Sequence, residues 1–264
     1  MTLKNGQESF LSGRTLVWFS RGAASAVAAK MAVDQKKPNL EIIYCDTSAD
    51  EDEDNQRFQR DVEQWIQHPI KTIASAKYKT ADEVFADTKY ISGTDGARCT
   101  GELKRVPRIA YQWAEDVHVF GYTLDETMPH CKRADRDRIA NFEKNNPLLH
   151  CEWLLCEAGL FKDDCLRIVR EAGLKLPIAY EQGFEHANCK GCVKATSPHY
   201  WNLTRKIHPQ AFELRAARSR ALGVRLVRYK GERIFLDELP PEATEVVKEN
   251  LSCGPQCQVA EVEP

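Results

Sequence analysis

The feature that most constrains this chain is an alternation within its first 120 residues. Short apolar runs, "TLVWFS", "LEIIYCDTS", "IKTIAS" and "VHVFGYT", are separated by longer stretches of helical character. The runs read as strands, and the continuous apolar text of the first two suits strands buried on both faces. Between them lie "ASAVAAKMAVDQ", "DEDNQRFQRDVEQWIQ" and "VPRIAYQWAED"; the second places Phe58, Val62, Trp65 and Ile66 at helical spacing. Strands alternating with helices predict an α/β fold, a Rossmann-like parallel sheet flanked by helices. In such sheets ligands sit beyond the carboxyl ends of the strands. The Ser20 loop, Asp46-Thr47-Ser48 and Gly121-Tyr122 all fall at such ends.

After about residue 150 the text changes. "LLHCEWLLCEAGLFKDDCLRIVREAGLKLP" reads as helices with glycine breaks, and no further strand–helix alternation is predicted. "HPQAFELRAARSRALG" is a basic helix, and "VRLVRYKGERIFLDEL" reads as a hairpin around Lys230-Gly231. The expected division is a first domain over 1–178 and a Cys-rich, basic C-terminal extension over 179–264, docked on it.

Composition narrows the function classes. No run of 18 apolar residues predicts a membrane span, and the polar start "MTLKNGQESF" lacks the apolar core of a secretion signal. The expectation is a cytoplasmic protein with no membrane partner. The net charge is −2, but eight acids face two arginines from Asp46 to Glu63, and eleven Lys/Arg face two Glu from Lys190 to Arg233. A basic third of this kind suits an anionic ligand, nucleic acid among them. Ten cysteines in a reducing compartment point to metal binding or thiol chemistry rather than disulfides. Cys45, Cys151, Cys156 and Cys165, within apolar or helical text, are expected as small buried hydrophobes.

"WFSRGAASAVAAK" joins a strand to a helix through small residues. Such a turn presents unpaired N–H groups and the positive end of the helix dipole to an anion. Cys189-x-x-Cys192 has the spacing of two metal thiolates on one tight turn, and Cys253-x-x-x-Cys257 is a second pair. Two pairs supply four thiolates for zinc or an iron–sulfur cluster, and spacing does not choose between them.

These residues also carry a resemblance. Ser20-Arg21-Gly22-Ala23-Ala24-Ser25 resembles the Ser-Gly-Gly-x-x-Ser loop of the adenine nucleotide alpha-hydrolase superfamily. That group includes the PP-loop ATP pyrophosphatases and the phosphoadenylyl-sulfate (PAPS) and adenylyl-sulfate (APS) reductases. "IIYCDTSADEDEDNQRFQRDVEQW" resembles the strand ending in Asp-Thr-Gly and the helix after it. "RCTGELKRVP" resembles the reductases' Cys-(Cys)-x-x-Arg-Lys-x-x-Pro segment, "YEQGFEHANCKGC" their Gly-Tyr-x-x-x-Gly-Cys-x-x-Cys, and "SCGPQ" their Glu-Cys-Gly-x-His tail. The motifs keep the family order from Leu16 to Cys257, and the pattern is closest to reductase-like proteins of phage and mobile elements.

The resemblance implies a pocket for an adenine nucleotide: PAPS, APS or ATP. Ser20, Arg21, Gly22, Ala23 and Ser25 would hold its phosphate or sulfate, Asp46 and Thr47 would flank the adenosine, and Gly121 and Tyr122 would close the adenine side. Lys104, Arg133 and Arg136, with Arg138 beside them, would meet anionic oxygens. It further implies a 4Fe-4S cluster on Cys99, Cys189, Cys192 and a tail cysteine, Cys257, with Zn the alternative. Cys253 would be the thiolate nucleophile, served by a thiol electron donor.

The chain departs from the pattern at three places. Ala24 replaces the loop acid that helps bind Mg²⁺ in ATP pyrophosphatases, leaving Asp50, Glu51, Asp52 and Asp54 as the acids available to Mg²⁺. Thr100 stands where the second cysteine of the pair would be, and the tail ends without its histidine. Two other functions remain open at this point: ATP-dependent sulfur insertion into nucleic acid, with Tyr200, Trp201 and Tyr229 available to stack bases, and a non-catalytic nucleotide-binding metal module.

Overall fold

The structure, a computed structural model, describes residues 13–93, 96–127 and 137–245. The strands are β1 (Thr15–Phe19), β2 (Leu40–Cys45), β3 (Ile70–Ile73), β4 (Val117–Phe120), β5 (His150–Glu152), β6 (Val227–Tyr229) and β7 (Glu232–Ile234). The main helices are α1 (Ala23–Asp34), α2 (Asp54–Ile66), α3 (Ala81–Thr88), α4 (Arg138–Asn145), α5 (Lys162–Glu171), α6 (Pro198–Ile207) and α7 (Pro209–Ala221). No helix among the described residues is long and apolar enough to cross a membrane.

The chain divides into two compact units. The first combines Met1–Cys45, Gln56–Ile73 and Arg108–Leu176; the second combines Asp46–Asn55, Ala74–Pro107 and Pro177–Pro264. One boundary falls at Leu176/Pro177, beside the expected cut at 178/179. Two earlier segments nevertheless belong with the C-terminal one, because their side chains form a common core and common ion pairs with it.

The first unit carries a five-stranded parallel sheet in the order β3-β2-β1-β4-β5. β1 is central and buried at all five positions, as expected of a strand covered on both faces. Trp18 pairs in register with Ile43 on one side and Phe120 on the other. α1 is rich in alanine and buried along Ala26, Val27, Ala28, Ala29 and Ala32; small side chains let its axis lie close to the sheet. One sheet face carries an aromatic cluster in which Trp18, His118 and Phe120 stack and Phe142 meets Trp153 edge-on at 5.8 Å. The sequence does not announce β5. Its three residues show no strand pattern, and only pairing with β4, Val119 opposite Glu152, makes them one.

The second unit is held by a separate core. Phe85, Leu103, Trp201, Val227 and Leu236 are buried together in it. α3 begins with a reciprocal cap: the Thr80 side chain accepts from the Glu83 amide, and Glu83 reaches back to the Thr80 amide. β6 and β7 form the expected antiparallel hairpin. Its turn residues Lys230 (φ 48°) and Gly231 (φ 87°) are both left-handed, as a two-residue hairpin turn demands.

Candidate functional site

In the first unit the strand order reverses between β1 and β4, which makes their carboxyl ends the crevice of this sheet. Ser20 follows β1 and Gly121 follows β4. Gly121 lies so close to the start of α1 that an added Cβ would stand 2.8 Å from the Ser25 amide nitrogen. Its lack of a side chain therefore lets the two chain segments meet. The loop is closed from within: Ser25 Oγ accepts from the Ser20 amide (3.0 Å) and the Ser20 hydroxyl (3.2 Å), and donates to Gly22 O (3.0 Å). Gly22 caps α1 without a side-chain hydrogen bond, so the first turn keeps N–H groups for an anion. Ala23 is buried beneath it.

Arg21 departs from a purely anion-binding role. It has φ 57°, a left-handed conformation that costs a non-glycine residue on the order of 1 kcal/mol. Its guanidinium lies 3.7 Å from the Tyr44 ring centroid, and its Nε donates to Gln59 (2.8 Å). These contacts hold the strained backbone from the side-chain end. Tyr122 is buried, 5.4 Å from Trp153 edge-on, so its ring serves the aromatic core. Arg138 stacks on that ring at 5.1 Å and pairs with Glu126 at 2.5 Å. Arg133, Arg136, Cys253 and Cys257 lie outside the described residues.

The second unit holds the thiols of Cys99 and the Cys189-x-x-Cys192 motif. Cys99, Cys189 and Cys192, from two distant stretches of sequence, line a single cavity of about 20 Å³. Thr47, Thr100, Lys104 and Arg215 also line it. All three cysteines are free of disulfides. Lys104 is buried and sits in the π-helical turn Gly101–Arg105, an irregularity often found where a helix is adapted to a function.

The Cys189–Cys192 turn is fixed from three sides. The Lys190 amide donates to Asp50 O (2.8 Å), Arg215 Nε donates to Gly191 O (3.3 Å), and the Cys192 amide donates to Tyr200 Oη (2.7 Å). Gly191 has φ +66°, and a Cβ there would stand 3.2 Å from Arg215 Cγ, so a side chain is doubly unwelcome. Burial, followed by the neighbouring Cys192, raises the Tyr200 pKa well above the ordinary phenol value.

The acidic run folds inward as hydrogen-bond acceptors. Asp50 pairs with Arg215 Nη2 (2.9 Å) and accepts from the Ala81 amide (2.6 Å). Thr47 Oγ1 donates to Glu51 (2.5 Å), and Asn55 donates both to Glu51 (3.3 Å) and to Ala187 O (3.2 Å). Asp46 accepts from the Ser48 amide and hydroxyl. Asp54 accepts from the Ile178 amide at 2.8 Å. No group of three or more His, Cys, Asp or Glu among the described residues is placed to hold a metal ion.

Part of the basic third is paired within its own unit. Arg218 pairs with Asp82 (2.8 Å), Arg220 pairs with Asp237 and Glu238, and Arg205 donates to Leu239 O (2.8 Å). Trp201 is fully buried and donates to Ala195 O; its role is packing, not base stacking. Of the four cysteines expected as core, Cys45 and Cys165 are buried, whereas Cys151 and Cys156 are only half-buried. Burial pushes the thiols of Cys151, Cys156 and Cys165 up to about 12.

Sequence reasoning does not find Arg215, whose text looks like any basic helix. Only its burial and its bond to Gly191 single it out. No family model and no curated protein matches the chain.

Proposed function

We propose that this chain is an enzyme resembling the PAPS and APS reductases, which binds an adenine sulfonucleotide and acts through thiol and iron–sulfur chemistry. What supports the reading most is the convergence of Cys99 with Cys189 and Cys192 on one cavity, beside the buried Lys104 and Arg215. In the sequence these are separate motifs.

In this reading the Ser20 loop and the start of α1 bind the phosphate or sulfate through N–H groups. The Cys253 thiolate attacks the sulfur of the bound sulfonucleotide. A sulfur–sulfur bond forms, the sulfur–oxygen bond breaks, and the nucleotide leaves with that oxygen. A thiol donor then attacks Cys253, releasing sulfite and leaving a disulfide; the two thiols supply both electrons. Cys99, Cys189, Cys192 and Cys257 would hold the cluster. When bound, a 4Fe-4S cluster supplies a redox-active, polarising centre. Ala24 favours a sulfonucleotide over metal-assisted splitting of ATP.

The test is a thermal-shift panel of ATP, AMP, APS and PAPS on iron-loaded protein, followed by a sulfite-release assay with a thiol donor. APS or PAPS is expected to give the largest shift and sulfite, and Cys253→Ala to abolish sulfite while keeping the shift. Pyrophosphate or AMP release from ATP only when nucleic acid is added would transfer the chain to nucleic-acid thiolation. Stabilisation by nucleotide with neither activity would make it a binding module.

A further inference from the structure

We propose that the β6–β7 hairpin is a docking surface for double-stranded DNA, held through its phosphate backbone by Arg225, Arg228, Lys230 and Arg233. The hairpin belongs to the thiol unit and not to the unit with the nucleotide crevice, so the inference goes beyond the reductase reading and does not rest on it.

The two faces of the hairpin differ. On the inner face Val227 pairs with Ile234 and Tyr229 with Glu232; Val227 is buried in the core of the unit, and Tyr229 and Ile234 pack against it. On the outer face Arg228 stands directly opposite Arg233, and both are exposed. The Arg228 amide turns out of the ladder and donates to Thr196 O at 2.8 Å. That makes Arg228 and Arg233 a non-hydrogen-bonded pair, the kind whose side chains stand closest. Like charges placed directly opposite each other weaken a hairpin. Nearby acids do not answer the charge. Asp237 and Glu238 pair with Arg220, and among the described residues Arg225, Arg228 and Lys230 enter no ion pair. Arg233 Nη1 donates to a neutral acceptor, Leu226 O, at 2.7 Å.

A polyanion laid on this face relieves the repulsion, and arginine forks pair with phosphate oxygens. The shape selects among polyanions. A Cβ added at Gly231 would meet nothing within 4 Å, so the turn that carries Lys230 stands clear of the protein. A two-stranded ribbon of this kind is admitted by the major groove of B-form DNA, whereas the deep, narrow major groove of duplex RNA is closed to side chains. Single strands are held by stacking on exposed rings. This face offers none, because Tyr229 packs inward and Trp201 is core. Contacts to phosphate alone carry no base readout, so the binding is independent of DNA sequence.

The experiment uses the full chain as wild type, Arg228→Glu, Arg233→Gln and Lys144→Glu, the last an exposed lysine of the sheet unit. Fluorescence anisotropy measures binding to duplex DNA, duplex RNA and single-stranded DNA of equal length across a salt series, with polyglutamate as a competitor, and thermal midpoints report folding. The wild type is expected to bind duplex DNA most tightly, with affinity falling about 100-fold between about 50 and about 200 mM salt, as four phosphate contacts require. Arg228→Glu should weaken binding on the order of tenfold while its thermal midpoint holds or rises, because it sets opposite charges across the strands. Arg233→Gln should weaken binding and reduce the salt slope by about 1. Lys144→Glu, with the same charge change as Arg228→Glu, should bind as the wild type does. Should Arg228→Glu lose affinity and thermal midpoint together, Arg233→Gln decides. The inference is overturned by no binding to duplex DNA, by equal binding of duplex RNA or single-stranded DNA, by equally effective polyglutamate, or by wild-type affinity in both hairpin variants.

Discussion

The two units solve the burial problem in different ways. The sheet unit repeats one device: apolar strands in parallel register, with helices laid over them. It also buries polar groups, among them Arg108, His118 and Asp116, and Asp116 is met by Arg14 through two hydrogen bonds of 2.7 and 3.0 Å. The thiol unit has no large sheet among its described residues. It gathers three separated segments and joins them through Asp50, Arg215, Asp82 and single backbone hydrogen bonds. The unit with the less regular frame is also the one that holds three thiols around a cavity.

The sharpest way to break this contrast is Arg215→Met. It strands buried Asp50 without its cation and is expected to destabilise the chain by about 3–5 kcal/mol, read by chemical denaturation. Adding Asp50→Asn should recover part of the loss. If the single substitution costs under about 1 kcal/mol, well short of that range, the thiol unit is not held as described.

The sheet unit has its own sensitivity, to acid. His118 is fully buried, accepts from Trp18 Nε1 at its Nδ1, and has its pKa lowered from 6.5 to about 4, chiefly by burial and then by Arg108. The unfolded chain therefore takes up the proton first as the pH falls. The stability contribution is complete above about 6.5 and is lost on the way down to about 4. The whole window amounts to about 3 kcal/mol. Denaturation midpoints across this range check it, and His118→Gln should flatten the slope.

Gly121→Ala tests the crevice. A Cβ would stand 2.8 Å from the Ser25 amide nitrogen and 3.1 Å from Ala24 C, both backbone atoms that cannot turn aside. The expected cost is about 1–3 kcal/mol, with weakened nucleotide-dependent stabilisation and unchanged thiol reactivity. Thr80→Ala is the smallest expected effect, about 1 kcal/mol from loss of the α3 cap, and its measured value calibrates the larger ones.

Much of the sheet is legible in the amino-acid sequence. β1, β2, β3 and β4, the helices α1 and α2 and the Lys230-Gly231 hairpin follow from local periodicity and turn chemistry, whereas α3 is not read from the sequence. β5 does not, because three residues carry no period and the strand exists only through its neighbour. The candidate site is legible as residue types: a small-residue loop, a Cys-x-x-Cys turn, and a cysteine followed by threonine. Arg21 reads as loop charge, yet its side chain bonds Gln59 and stacks on Tyr44. Trp201 reads as a ring available for base stacking, and it is core.

By itself, then, the amino-acid sequence determined the elements and the chemistry that each motif carries, because propensity, periodicity and side-chain type act over a few residues. Tertiary structure alone decided which motifs share a cavity. Burial of Arg215 and the meeting of Cys99 with Cys189 and Cys192 depend on contacts between distant segments, and local sequence does not encode those contacts in any readable pattern.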